Sequence, residues 1–128
     1  MREELDQALC RDFPILYRDR NGSLRETCMA YGFCCGDGWY HIIRWLSEKL
    51  EPAIAALPEE ERPCAFQVKE KFGTLRYYMS SETDEMTKWI AMAEHLSADT
   101  CEECGAEGKL RPGGWIQTLC DGCHEKRS

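Results

Sequence analysis

Two short cysteine pairs stand out in the sequence, Cys101-Glu102-Glu103-Cys104-Gly105 and Cys120-Asp121-Gly122-Cys123. Two thiolates separated by two residues can face one ion when the turn between them is tight. The full spacing, C-x2-C-x15-C-x2-C, falls in the range of structural zinc sites. Cys101, Cys104, Cys120 and Cys123 are therefore expected to hold one structural Zn2+. Gly105 supplies the backbone twist that lets amides approach sulfur. Four thiolates leave the centre with a net charge of about −2, which Lys109 and Arg111 are placed to offset. Because four protein ligands close the coordination sphere, catalytic zinc is disfavoured. A thioredoxin-like role is also disfavoured, since such a CxxC opens a helix after a strand and is not duplicated around a hairpin.

The other candidate chemistry is weaker. Cys28, Cys34, Cys35 and His41 suggest a second metal site, but adjacent cysteines make poor joint ligands in a tetrahedron, and buried inert thiols are the simpler reading. Cys10 and Cys64 have no local partner. His124 directly follows Cys123 and raises the possibility of an HNH-type nuclease. That chemistry needs a histidine on the hairpin, which is absent, and metal-binding residues on a closing helix, whereas four residues follow His124. His95 reads as a helix C-terminal or surface residue. Gly32-Phe33-Cys34-Cys35-Gly36-Asp37-Gly38 is glycine-rich but lacks a P-loop lysine. No Ser/His/Asp set or carboxylate pair can be assembled, so no catalytic residue is assigned.

Composition narrows the class. The 128 residues carry a formal charge of −7, with 43% apolar and 30% charged side chains. Residues 101–128 hold four of the basic and five of the acidic groups, so neither part of the chain looks built for non-specific phosphate binding. No stretch has the length of a membrane span. Met1-Arg2-Glu3-Glu4-Leu5-Asp6 opens with charge rather than an apolar run, which points to a cytoplasmic protein. In that compartment nine cysteines, an odd number, are read as ligands or buried thiols rather than disulfides.

The elements that must position these residues are legible from periodicity. Leu5 and Leu9 share a face of a short helix over 2–10, and Phe13-Pro14-Ile15-Leu16-Tyr17 is an anchored loop. Asn21-Gly22 marks a turn, and Gly36-Asp37-Gly38 a compact one in which Asp37 caps the next helix. Trp39, Ile42, Ile43, Leu46, Leu50, Ile54 and Leu57 then line one helical face, with a kink or restart at Pro52. Leu57 to Pro63 is an acidic exposed loop. Residues 64–79 alternate as a hairpin, with Phe66, Val68 and Glu70, then Leu75, Tyr77 and Met79, on one face and a turn near Phe72-Gly73-Thr74. Ser81 to Asp84 starts a second helix whose apolar face is Met86, Trp89, Ile90, Ala93 and Leu96. Between the cysteine pairs, Lys109 to Leu119 is a hairpin turning at Pro112-Gly113-Gly114, and Asp121 to Arg127 a short helix.

The expected architecture is α+β, with two amphipathic helices on a small antiparallel sheet (1–99), carrying a packed four-cysteine module (100–128). Knuckle, hairpin and helix in that order make a treble clef; a second hairpin in place of the helix would make a zinc ribbon.

The blocks Gly36-Asp37-Gly38-Trp39, Gln67-Val68-Lys69-Glu70-Lys71-Phe72-Gly73-Thr74-Leu75-Arg76, and Cys101-Glu102-Glu103-Cys104-Gly105 with Gly114-Trp115-Ile116-Gln117-Thr118-Leu119-Cys120 resemble those of a group of small uncharacterised bacteriophage and prophage proteins. The resemblance spans about residues 32–123. It implies a mobile-element origin and a host cytoplasm as the place of action, and brings no activity or catalytic residue with it.

Three functions follow as expectations. The first is a non-enzymatic factor that binds a host protein, as an inhibitor or anti-defence protein, through Lys69, Lys71, Phe72, Arg76 and Trp115. By default Phe72, Leu75 and Trp115 would each simply pack the core. The second is a zinc-finger regulator that places Lys109, Arg111, Lys126 and Arg127 on nucleic-acid phosphates. The third is an enzyme or accessory subunit, which would need a pocket gathering His41, His95, Asp37 or Glu70.

Overall fold

The computed structural model describes residues 1–127. Helix α1 (Glu3–Asp12) is followed by irregular and 3-10 turns, the short strand β1 (Phe33–Cys34), helix α2 (Tyr40–Ala55), strands β2 (Ala65–Lys71) and β3 (Thr74–Met79), and helix α3 (Asp84–Ser97). The metal-binding end adds β4 (Lys109–Arg111), β5 (Gln117–Leu119) and α4 (Asp121–Arg127). The class is α+β, as its patterning implies.

The three-stranded sheet has the order β1-β2-β3. β2 and β3 form the expected antiparallel hairpin, while β1 pairs parallel to β2 through Phe33 opposite Val68 and Cys34 opposite Lys69. The sheet is thus mixed rather than purely antiparallel. Two residues are too few for an alternation to show. A bulge between Ala65 and Gln67 shifts the inward set, so that Ala65 and Val68 are buried and Phe66 faces solvent, against expectation. Leu75 and Tyr77 point into the core.

Both long helices bury most of the stripe that periodicity assigns, with Trp89 and Leu57 only partly covered. Ile42, Ile43, Leu46, Leu50 and Ile54 of α2 meet Met86, Ile90 and Ala93 of α3 in one core with Val68, Leu75 and Tyr77. Helix α2 runs through Pro52 to Ala55 without a restart, and the proline forgoes only the hydrogen bond that residue 52 would donate to the Glu48 carbonyl. Asp37 does not cap α2; its carboxylate accepts the Arg2 amide at 2.8 Å and holds the start of α1 instead. Thr83 caps α3 by accepting the Met86 amide. Leu96, expected inside, is exposed, and Ser97 takes the buried place. Ser97 Oγ accepts the Leu75 amide and Glu94 accepts that of Tyr77. Helix α3 thereby satisfies the outer edge of β3, which would otherwise offer unpaired donors to another chain.

A buried hydroxyl chain ties loop, helix and sheet together. Tyr77 donates to Tyr17 at 2.9 Å, Tyr17 lies 2.6 Å from Ser47, and Ser47 reaches the Ile43 carbonyl at 2.7 Å. From Tyr77 to Ile43, each hydroxyl has one acceptor, and no donor of the chain is left over. The Phe13–Tyr17 loop is anchored as expected, by the Glu51 carboxylate accepting the Ile15 and Leu16 amides.

The β2–β3 turn is tight, and both of its central residues are left-handed, Phe72 at φ 53° and Gly73 at φ 86°. This geometry suits a hairpin and favours Asn-Gly. A phenylalanine there costs about 1–2 kcal/mol of backbone strain. Phe72→Asn is therefore expected to raise the unfolding free energy by about 1 kcal/mol in urea denaturation. An unchanged or lower stability would show that the Phe72 ring contributes packing that outweighs the strain.

Candidate metal centre and adjoining surface

The metal-binding end is assembled as knuckle, hairpin and helix. Cys101 and Cys104 flank a turn closed by the Gly105 amide donating to the Cys101 carbonyl at 2.9 Å, with Gly105 at φ 85°. β4 and β5 pair antiparallel, with Lys109 opposite Leu119 and Arg111 opposite Gln117. Cys120 ends the hairpin, and Cys123 sits in the first turn of α4. The helix in the final position gives the treble-clef order rather than that of a ribbon.

The four sulfurs lie within 4.8 Å of one another, and those of Cys104 and Cys120 are 3.7 Å apart. A tetrahedral ion with metal–sulfur bonds of about 2.3 Å needs sulfurs about 3.8 Å apart, so the cluster has the dimensions of a filled site. Among the described residues it is the only group of three or more candidate ligands brought together. Burial raises the Cys101 thiol, but the amides of Cys120, Cys104 and Glu103 outweigh it and bring the group down to about 7. The Cys123 thiol is pushed up to about 12, first by its contact with Cys120. Cys104 is raised as well; the Ala106 amide lowers it, but neighbouring Cys101 and Cys120 prevail. Crowded thiols cannot all ionise without a cation among them.

Lys109 and Arg111 line one depression with Cys120 and Asp121. Both reach the Asp121 carboxylate, at 3.8 and 2.7 Å, and Arg111 also donates to the Leu119 carbonyl. They brace the hairpin against the start of α4. Backbone amides at sulfur, including that of Cys123 to Cys120 at 3.4 Å, also compensate thiolate charge. Cys28, Cys34, Cys35 and His41 are not gathered: Cys34 is exposed, Cys35 is buried, and burial drives the Cys35 thiol to about 12. Asp37 and His41 line one shallow depression with Glu103 and Cys104, but His95 and Glu70 lie elsewhere, and the Glu70 carboxylate accepts the Gly73 amide.

Docking of this module on the rest of the chain rests on residues with no obvious signal. The Gly38 amide donates to the Glu102 carbonyl at 2.7 Å, and the Gly36 amide to the Glu102 carboxylate at 2.9 Å. Trp39, fully buried, donates its indole N–H to the Thr100 carbonyl at 2.9 Å. On the other side Thr118 Oγ1 donates to the Gly73 carbonyl at 2.7 Å. Glu102 is only 5% exposed, and burial raises its carboxyl pKa, partly offset by the Gly36 amide and the Gln117 side chain. A glutamate between two cysteines reads in sequence as a solvated spacer; its burial appears only when the glycine loop is placed over it.

Comparison with known proteins found no matching family model, no curated relative and no similar solved structure. The site is therefore interpreted from its own geometry.

Among the partner-binding candidates, Phe72 and Trp115 are not in the core. They are 66% and 63% exposed, while Leu75 is buried. Phe72 sits on a turn tip and Trp115 beside the Gly113-Gly114 turn, and the two line one cleft of about 310 Å3 with Glu70, Lys71, Gly114 and Ile116. Lys71 lies 5.7 Å from the Phe72 ring centre, and the Arg127 guanidinium 5.7 Å from that of Trp115. Lys69 and Arg76 face each other across the β2–β3 ladder. No described helix is long and apolar enough to cross a membrane.

The glycine contact generates a sharp expectation. A Cβ on Gly38 would lie 2.1 Å from the Cys101 carbonyl oxygen, with backbone on both sides and no flexible side chain to yield. Gly38→Ala should detach the knuckle, so that limited proteolysis cuts within residues 98–110 at least tenfold faster than in the parent, about the effect of losing 1.4 kcal/mol. Equal protection in the two proteins would mean that this approach does not hold the module.

Proposed function

We propose that this chain is a zinc-stapled, non-enzymatic factor that works by binding another protein in a bacterial cytoplasm, as expected of a phage-derived protein acting on its host. Zinc suits the centre because four thiolates at tetrahedral spacing favour a borderline-soft, redox-inert ion and leave no open position for catalysis. Its part is structural. The short elements at residues 100–127 have a small core of their own, and a four-thiolate zinc site contributes on the order of 10–16 kcal/mol of apparent binding free energy to folding.

The observation that carries the interaction reading is the pair Phe72 and Trp115. Two large aromatic side chains from different hairpins are held in solvent on either side of one cleft. Exposed aromatics backed by cations are the composition of interface anchors. Phe72 is held there at the expense of backbone strain, and strained residues concentrate at binding surfaces. The regulator reading gains less support. Of its four cations, Lys109 and Arg111 are tied to Asp121, and Arg127 bonds to Gln117 and the Trp115 carbonyl.

The test is affinity capture from a nuclease-treated bacterial lysate on the zinc-loaded protein, at two salt concentrations. A single stoichiometric protein retained at both is expected. Recovery of nucleic acid alone, lost as salt rises, would overturn the reading in favour of a regulator.

A further inference from the structure

Three cations, Lys69, Lys71 and Arg76, lie on the β2–β3 hairpin beside this cleft. Across the molecule, Arg2, Arg11, Arg20, Arg44, Lys109 and Arg111 each lie within 4.0 Å of a carboxylate. Among the described residues, the other ten of the 16 lysines and arginines do not, Lys69, Lys71 and Arg76 among them; these three are set apart by sharing one face of a hairpin. In the β2–β3 register Lys69 stands opposite Arg76 and Lys71 opposite Thr74, on the face away from Val68, Leu75 and Tyr77. The Arg76 Nε is buried, so a ligand would meet this guanidinium through its terminal nitrogens. Glu70 also lines the cleft, but it stands on the Val68 face of β2 and its carboxylate accepts the Gly73 amide at 3.4 Å.

We infer that the outer face of the β2–β3 hairpin, together with the Phe72–Trp115 cleft, binds an extended acidic peptide segment of the partner protein. This rests on the interaction reading above and assigns the partner's chemistry. Alternate residues of a strand lie about 7 Å apart on one face, and an extended ligand has the same repeat. An apolar side chain seated between Phe72 and Trp115 therefore places carboxylates at every second position of the ligand over Lys71 and then over Lys69 and Arg76. The recognised pattern is one apolar residue followed or preceded by acids at alternate positions. Arg76 supplies fork geometry for one carboxylate, and the two lysines supply point charge. A nucleic acid carries a charge on every unit and meets three cations on this hairpin face of a chain of net charge −7, so repulsion works against it. A peptide with two carboxylates needs no more than the face provides.

The experiment is selection of a displayed random dodecapeptide library on the zinc-loaded full chain, with Phe72→Asn and Lys71→Glu as comparison proteins and a single-stranded 20-nucleotide oligomer as a parallel probe. Asparagine suits the left-handed turn, so Phe72→Asn keeps the hairpin while removing the aromatic wall. Enrichment of peptides with the alternating apolar–acidic pattern is expected, with affinity reduced about tenfold or more in each variant and further by salt. Phe72-dependent enrichment without acidic bias would overturn the assigned chemistry and leave the interaction reading standing. No Phe72-dependent enrichment would overturn both. Phe72-dependent binding of the oligomer with a log–log salt slope of about −2, the value for three phosphate contacts on a single strand, would move the site to nucleic acid.

Discussion

The Gly38 amide meets the Glu102 carbonyl at 2.7 Å, and much of the molecule's metal-binding end is arranged by that approach. Two backbones can come this close only if neither carries a side chain in the gap, and a Cβ at Gly36 or Gly38 would lie 2.4 or 2.1 Å from a knuckle carbonyl oxygen. Trp39, next in sequence, locks the contact by donating to the Thr100 carbonyl from within the core. The knuckle so placed fixes Cys101 and Cys104. The Glu102 amide, bonded to the Thr118 carbonyl at 2.9 Å, carries the constraint into β5 and so to Cys120.

The same docking explains why two hairpins from distant parts of the chain present one surface. Thr118 Oγ1 donates to the Gly73 carbonyl, and a Cβ on Gly73 would strike the Leu110 side chain at 2.6 Å. The tip of the β2–β3 turn is therefore pressed against the metal hairpin, and the aromatic residues at the two turns, Phe72 and Trp115, are left on either side of the seam. Metal ligation, module docking and the candidate binding cleft form one mechanical unit. Losing the ion would release the cleft wall that carries Trp115 while leaving the α2–α3 core to stand on its own burial.

Much of this was legible in the sequence, and the remainder was not for identifiable reasons. The CxxC spacing, the apolar stripes of α2 and α3 and the alternation in β3 are local patterns with a fixed period, so they can be read without the fold. β1 is two residues long and includes one of two adjacent cysteines, so it has no period to read. The inward place of Ser97 instead of Leu96 follows from the Leu75 amide needing an acceptor at the edge of β3, a demand imposed by another element. Phe66 left the predicted face because one bulge residue reverses the alternation. Phe72 and Trp115 default to the core by residue type, and only their places at or beside tight turns put them in solvent. The role of Gly36 and Gly38 becomes visible only when a second backbone arrives.

The centre itself offers the most direct measurement. X-ray absorption at the zinc edge, combined with elemental analysis of the natively purified chain, reads both ion and ligands. One zinc per chain with four sulfur scatterers at about 2.3 Å is expected. Iron in place of zinc would contradict the assigned ion, and a metal content well below one per chain, or nitrogen or oxygen in the inner shell, would contradict a closed Cys101, Cys104, Cys120, Cys123 site.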